Sequence, residues 1–217
     1  MNNRRVEDLM DWKAFLIPYS KAVEELKVKL RAIRKEYNDL GEYSPIEFVT
    51  GRVKKVSSII DKCNNKGIPL EYAGEFIDDI AGVRVMCQFT DDIYKVVELI
   101  RSREDIDLKV AYERDYVKYG KKSGYKSYHV IVRHTVQTIF GPKNVLAEIQ
   151  IRTLAMNFWA TIEHSINYKY ENNVPENLRE RLRKAAVAAY ALDSEMRTIR
   201  DEVIGAHLAS KDDFIFM

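Results

Sequence analysis

Asn144-Val-Leu-Ala-Glu-Ile-Gln-Ile-Arg-Thr153 puts Ala147, Ile149 and Ile151 on one side of an extended chain and Glu148, Gln150 and Arg152 on the other. The aliphatic content and period of two predict a strand over Leu146–Arg152, with one apolar and one polar face. A carboxylate and a guanidinium side by side on a rigid strand can bind a metal ion and a phosphate. The same pattern also describes an edge strand with a solvated polar face, and this segment alone weighs the two readings equally.

Upstream, Ile80 to Phe89 is β-branched and apolar on both faces, the pattern of a strand inside a sheet. Further strands are expected at Leu108–Glu113 and Tyr125–Val136. Thr90-Asp91-Asp92 opens a helix running to about Arg101. Three- and four-residue apolar steps from Val6 to Leu40 predict helices, broken or restarted at Pro18. Gly41 reads as a stop. Ser44-Pro45-Ile46-Glu47 reads as a new helix start reaching Cys63, interrupted early by Gly51. After Thr153 the chain turns helical, and Pro175 separates a last amphipathic helix over about Glu176–Gly205, with a short loose tail after Lys211. The expected order is helix, helix, strand, helix, then three strands.

The 217 residues make one domain the default: helices over 1–44, a core over 45–170, and a helix and tail over 171–217. Hydrophobic content of 46% and charged content of 31% describe an ordinary globular chain. A net charge of +2 confines any anion site to a local cluster. No apolar run approaches a membrane span and no signal core is present, so a cytoplasmic protein without membrane contact is expected. Cys63 and Cys87 have no ligand spacing, and the four histidines form no zinc pattern.

Chemistry concentrates at three further places. Gly51-Arg52-Val53-Lys54-Lys55 gathers cations at an expected helix start, a place for phosphate or simply a solvated basic face. Asp78-Asp79 precedes the strand bearing Arg84; on a regular strand Asp78 shares a face with Arg84 and Asp79 with Val83, and spacing alone leaves open which aspartate counts. Arg114 to Lys126 carries five cations against Asp115 with two glycines, a mobile basic loop leading to Tyr125, Ser127 and His129 on one strand face. Cations beside an aromatic suit a nucleotide. With no P-loop sequence, the set reads as phosphoryl-transfer chemistry organised another way.

In this order, Gly51-Arg52-x-Lys54, Asp79-Ile-Ala-Gly-Val-Arg84, Gly124-Tyr125-Lys-Ser-Tyr-His129 and Glu148-Ile-Gln-Ile-Arg-Thr153 resemble the synthetase domain of the RelA/SpoT family, over residues 45 to 170. The resemblance implies an α/β (α+β) fold: a nucleotidyltransferase-like mixed β-sheet flanked by helices, with helical N- and C-terminal extensions. It implies transfer of the β,γ-pyrophosphate of ATP to the 3′-hydroxyl of GDP or GTP, GMP being a further acceptor, to give the alarmones ppGpp and pppGpp. With no His-Asp pair, it implies a small, RelQ-like synthetase without hydrolase activity. Asp79 and Glu148 become the Mg²⁺ ligands, with Glu148 also the base. Arg52 and Arg84 would sandwich adenine, and Lys54, Arg114 and Lys121 would hold phosphates. Tyr125 would stack on guanine, with His129 and Asn157 on the acceptor nucleotide. Ser123 stands where many long synthetases have asparagine. The resemblance further implies a homotetramer through the terminal helices, an alarmone effector near Phe48 and Thr50, and a possible single-stranded RNA partner. A non-catalytic RNA- or nucleotide-binding module is the competing reading; it needs no Glu148. Gln150 and Arg152 receive no role.

Overall fold

The computed structural model describes residues 10–170 and 173–212, with side chains through residue 206, so Val6 to Leu9 of the expected first helix and the tail after Asp212 lie outside it. Its elements are α1 (Trp12–Asp39), β1 (Phe48–Val53), α2 (Val56–Lys66), a 3₁₀ turn and the short α3 (Ala73–Phe76), β2 (Ala81–Cys87), α4 (Thr90–Arg101), β3 (Lys109–Asp115), β4 (Tyr128–Thr138), β5 (Gly141–Thr153), α5 (Leu154–Lys169) and α6 (Glu176–Asp212). The five strands form one mixed sheet in the order β1-β2-β5-β4-β3. Only β2 and β5 run parallel; the other pairs are antiparallel.

The edge-strand reading of residues 144–153 does not hold, because β5 is the central strand, paired on both sides. Ala147, Ile149 and Ile151 face the main core beside Val83, Val85, Val130 and Val132. Against that apolar face lies α1, whose Tyr19, Ala22, Val23, Leu26 and Leu30 recur at helical spacing and are all buried. Asp11 caps it, accepting from the Ala14 N–H at 2.9 Å. Pro18 does not break this helix. One backbone bond is lost there, but the buried stripe continues past it and outweighs that loss.

A second correction concerns residues 44–53. No helix starts at Pro45; Ser44 Oγ instead accepts from the Ile46 N–H at 3.2 Å, and Phe48–Val53 is a strand antiparallel to β2. The capping signature was local, whereas β2 lies inside the sheet, where its backbone N–H and C=O groups need partners on both edges. Gly51 is there for close packing: a Cβ on it would stand 2.7 Å from Val23 Cγ1 and 2.9 Å from Lys27 Cδ on α1. Arg52 is therefore presented from a strand, whereas Lys54 and Lys55 lead into α2, whose N-cap is Lys55. The observed order gains a strand between the first two helices.

Candidate active site

Register places the polar residues. Across the sheet, Thr50, Arg84, Gln150, His129 and Arg114 lie in one row; Arg52, Gly82, Glu148, Ile131 and Tyr112 lie in the next. All belong to the face turned away from α1. Gly82, opposite Glu148 on β2, leaves the carboxylate a bare neighbour. A cavity of about 190 Å³ lined by Thr50, Arg52, Asp79, Arg84, Glu148 and Gln150 opens over these rows. It adjoins a cleft of about 510 Å³ that shares Arg52, Asp79, Arg84 and Gln150 and extends to Lys54, Lys121, Tyr125, Arg152 and α5.

The structure resolves the parity question. Asp79 lines the cavity with Glu148, while Asp78 turns toward Arg114, which reaches it at 3.5 Å. Burial would raise the Asp79 carboxyl, but Lys62 at 2.8 Å and Lys54 at 2.9 Å hold it below the usual carboxylate range. Lys62, on α2, was missed by sequence reading; nothing local marked it, and only the fold brings it to Asp79.

Glu148 is 6% exposed and is the endpoint of a hydrogen-bond network. His129 Nδ1 lies 2.8 Å from Oε1, and the Gln150 amide donates to Oε2 at 2.7 Å. Beyond His129, Tyr125 Oη is 2.8 Å from Nε2 and accepts from Arg152 at 2.6 Å. Gln150 Oε1 accepts from Arg152 at 2.6 Å and Arg84 at 3.3 Å. With His129 donating from Nδ1, the assignment these partners require, every donor is oriented toward the carboxylate. Burial pushes the Glu148 carboxyl up, its contacts with His129 and Gln150 push it down, and the net result lies below the ordinary value. Gln150 and Arg152 thus acquire contacts that the sequence did not reveal.

Cations crowd the rest of the site. Burial, then Arg152 and Arg52, disfavour the charged form of Arg84. Lys121 Nζ lies 4.9 Å from the Tyr125 ring centre and 4.5 Å from that of Tyr116; the Arg152 guanidinium lies 5.1 Å from Tyr125. Gly124, at φ +94°, turns the chain into this cluster beneath Ala186 of α6. Four expected residues line neither cavity: His129, which reaches the site through Glu148; Arg114, which turns to Asp78; Asn157 on α5, whose buried Oδ1 has no hydrogen-bond partner among the described residues; and Phe48, an exposed residue at the start of β1. Thr50 lines the smaller cavity itself.

The chain is similar to known proteins over most of its length. Residues 51–173 match the family described as a region found in RelA / SpoT proteins. The chain is 55% identical to the GTP pyrophosphokinase YjbM of Bacillus subtilis, over 93% of this chain and 94% of that one. It is 43% identical to the GTP pyrophosphokinase YwaC of the same organism, over 89% and 92%. Among solved structures, the small alarmone synthetase 1 of B. subtilis bound to its product pppGpp superposes with a TM-score of 0.84 at 56% identity, over 88% of this chain and 97% of that one. Sheet order, matched region and depth of identity together establish that the chain belongs to the RelA/SpoT family.

Proposed function

We propose that this chain is an alarmone synthetase, transferring the β,γ-pyrophosphate of ATP to the 3′-hydroxyl of GDP or GTP, with GMP as a further acceptor, and releasing AMP. One observation carries the reading: Asp79 and Glu148 line one cavity between the arginine pair Arg52 and Arg84 on its β1–β2 side and the Tyr125–His129 pair on its β4 side. That divides the face into a donor half and an acceptor half, with a carboxylate between them. Non-catalytic binding would not require an ionised buried glutamate there.

In this reading Arg52 and Arg84 stack on adenine, while Lys54 and Arg114 hold the donor phosphates. Lys121, Tyr125, His129 and Asn157 bind the acceptor; since Lys121 and Arg152 now sit against the Tyr125 ring, a guanine stacking there takes the place of one of them. Glu148 orients the 3′-hydroxyl and takes its proton as the oxygen attacks the β-phosphorus and the bridge to AMP breaks. A carboxylate held this low is a weak base, so proton transfer accompanies attack. The two carboxylates fit Mg²⁺, which takes one or two protein oxygens, keeps waters and shares substrate phosphates; the described residues contain no larger ligand cluster suited to a closed cage. Bound there, Mg²⁺ would neutralise charge on the transferred group.

Assembly and regulation extend the proposal. Leu154 and Phe158 on α5 and Leu192 and Met196 on α6 expose an apolar cleft, a surface for the homotetramer; an alarmone effector would bind near Phe48 and Thr50, and single-stranded RNA is a possible further partner. No described helix is long and apolar enough to cross a membrane, which accords with cytoplasmic work. The test is direct. Purified protein with ATP, GDP and Mg²⁺ should release AMP and ppGpp in equal amounts, and Glu148→Gln should lose about 10²–10⁴ in rate while remaining folded. Turnover without AMP, or a fully active glutamine variant, overturns the reading.

A further inference from the structure

Arg152 is 4% exposed and shares its face of β5 with Glu148 and Gln150, yet no carboxylate pairs with it among the described residues. Burying a guanidinium without a counter-ion costs stability. What it meets instead is three neutral acceptors: Nε donates to Ser127 Oγ at 3.2 Å, and Nη2 donates to both Tyr125 Oη and Gln150 Oε1, each at 2.6 Å. Two of the three lead to Glu148. Tyr125 reaches its Oε1 through His129, and Gln150 reaches its Oε2 directly. One guanidinium nitrogen therefore stands at the head of two arms that end on the two oxygens of a single carboxylate.

A guanidinium can only donate, and an ionised carboxylate can only accept, so the two ends set the direction of every hydrogen bond between them. Gln150, receiving at Oε1, must turn its amide N–H to Glu148; Arg84 donates to the same oxygen at 3.3 Å and enforces the same orientation. Tyr125, receiving at Oη, is left to give its own hydrogen to His129 Nε2, and a neutral imidazole then carries its hydrogen on Nδ1, facing Oε1. The Ser127 hydroxyl, able to donate or accept, imposes no direction. We infer that Arg152 is a positioning residue for the pyrophosphate transfer: it fixes both arms and so holds both oxygens of Glu148 ready for the acceptor's hydroxyl. A base held in this way needs no reorientation as the proton moves. The inference rests on the synthetase reading, which makes Glu148 that base. It also tells which cation yields to a guanine stacking on Tyr125. Exposed Lys121 gives way, because Arg152 is fastened to the phenol edge. The rival role is a direct phosphate contact, since Arg152 also lines the larger cleft.

The test is steady-state kinetics with ATP and GDP for Arg152→Gln, Arg152→Lys, Tyr125→Phe and the double variant of Arg152→Gln with Tyr125→Phe. Glutamine can accept as well as donate and so loses the fixed direction, lysine only donates, and phenylalanine keeps the ring while deleting Oη. In Arg152→Gln kcat should fall about 100-fold, part of the about 10²–10⁴ that a general base contributes, with the KM for ATP and for GDP within about threefold of wild type. Arg152→Lys and Tyr125→Phe should each lose about tenfold in kcat. Because both substitutions in the double variant interrupt one arm, its loss should stay near about 100-fold, short of the about 1,000-fold of independent sites. A KM raised more than about tenfold with kcat preserved overturns the inference, by making Arg152 a phosphate ligand. Losses that multiply in the double variant overturn it, and so does a lysine variant no better than the glutamine one. The melting temperature of Arg152→Gln should hold or rise, since it removes a buried cation. If that variant does not fold, the double of Arg152→Lys with Tyr125→Phe decides, under the same requirement of non-additive loss. Failure of the parent reading is separately visible, as wild-type protein that makes no AMP with any acceptor.

Discussion

Gly51→Ala is the sharpest test of the corrected register. The new methyl would stand 2.7 Å from Val23 Cγ1, 2.9 Å from Lys27 Cδ and 3.2 Å from the Gly82 carbonyl oxygen. Lys27 can swing aside. Val23 cannot, because a β-branched side chain in a helix has essentially one χ1. The strain therefore falls on the α1–β1 contact and costs about 2 kcal/mol, within the usual range for overpacking a tight core. For a chain of this size that lowers the melting temperature by roughly 4–8 °C. Gly82→Ala is the control: its methyl meets only the Arg52 carbonyl oxygen, at 3.6 Å, so stability should hold while activity falls, since the methyl stands opposite Glu148. Thermal denaturation of Gly51→Ala, Val23→Ala and the double variant gives the decisive number. The strain reasoning requires the double to be more stable than the sum of the singles by at least about 1 kcal/mol. Strict additivity, or an unchanged melting temperature in Gly51→Ala, refutes it.

Further outcomes follow from the charges. Asp193 on α6 is 5% exposed and accepts from Thr153 Oγ1 at 2.6 Å; burial pushes its carboxyl up, so its ionisation costs stability at neutral pH. Asp193→Asn, which keeps an acceptor for Thr153, should match or exceed wild type in denaturant midpoint at pH 7, whereas Asp193→Ala should lose about 1–3 kcal/mol. Asp79 and Glu148 have depressed folded values, so their contribution is present above the unfolded carboxylate range and disappears as pH falls through the folded values. Acid titration of unfolding should accordingly show the stability gap between wild type and Glu148→Gln closing below about pH 4. Lys62→Ala removes one of two cations on Asp79; the KM for ATP should rise several-fold with little change in that for GDP, and equal changes in both would reject a donor-side role.

Much of the sheet was legible because burial writes itself into composition. β2 and β5 announced themselves by aliphatic runs, and α4 by its acidic first turn, where Asp92 accepts from the Phe89 N–H at 3.4 Å. β1 was misread because Ser44-Pro45-x-Glu47 is a strong local helix signal, while the contrary signal lay in a helix 28 residues upstream, where Val23 needs a glycine beneath it. Pro18 misled in the same way, since its local penalty is overruled by an apolar stripe whose partner is a distant sheet. Strand parity alone put Asp78 on the face of Arg84, yet Asp79 is the one that lines the cavity, because regular strand geometry begins only at Ala81.

Residue identity alone determined the alternation at 144–153, and with it which side chains of β5 share a face, because side-chain direction in a strand depends only on position along the chain. It also determined the order of the four motifs that resemble the RelA/SpoT family. Only the tertiary structure decided what that polar face does. Placing β5 between β2 and β4 put Glu148 opposite a glycine and beside His129, turned Gln150 and Arg152 into donors and relays of its network, and brought Lys54 and Lys62 to Asp79. Each of these contacts spans strands or helices far apart in sequence. Their strength comes from burial and a lowered local dielectric, which exist only once the sheet has closed around them.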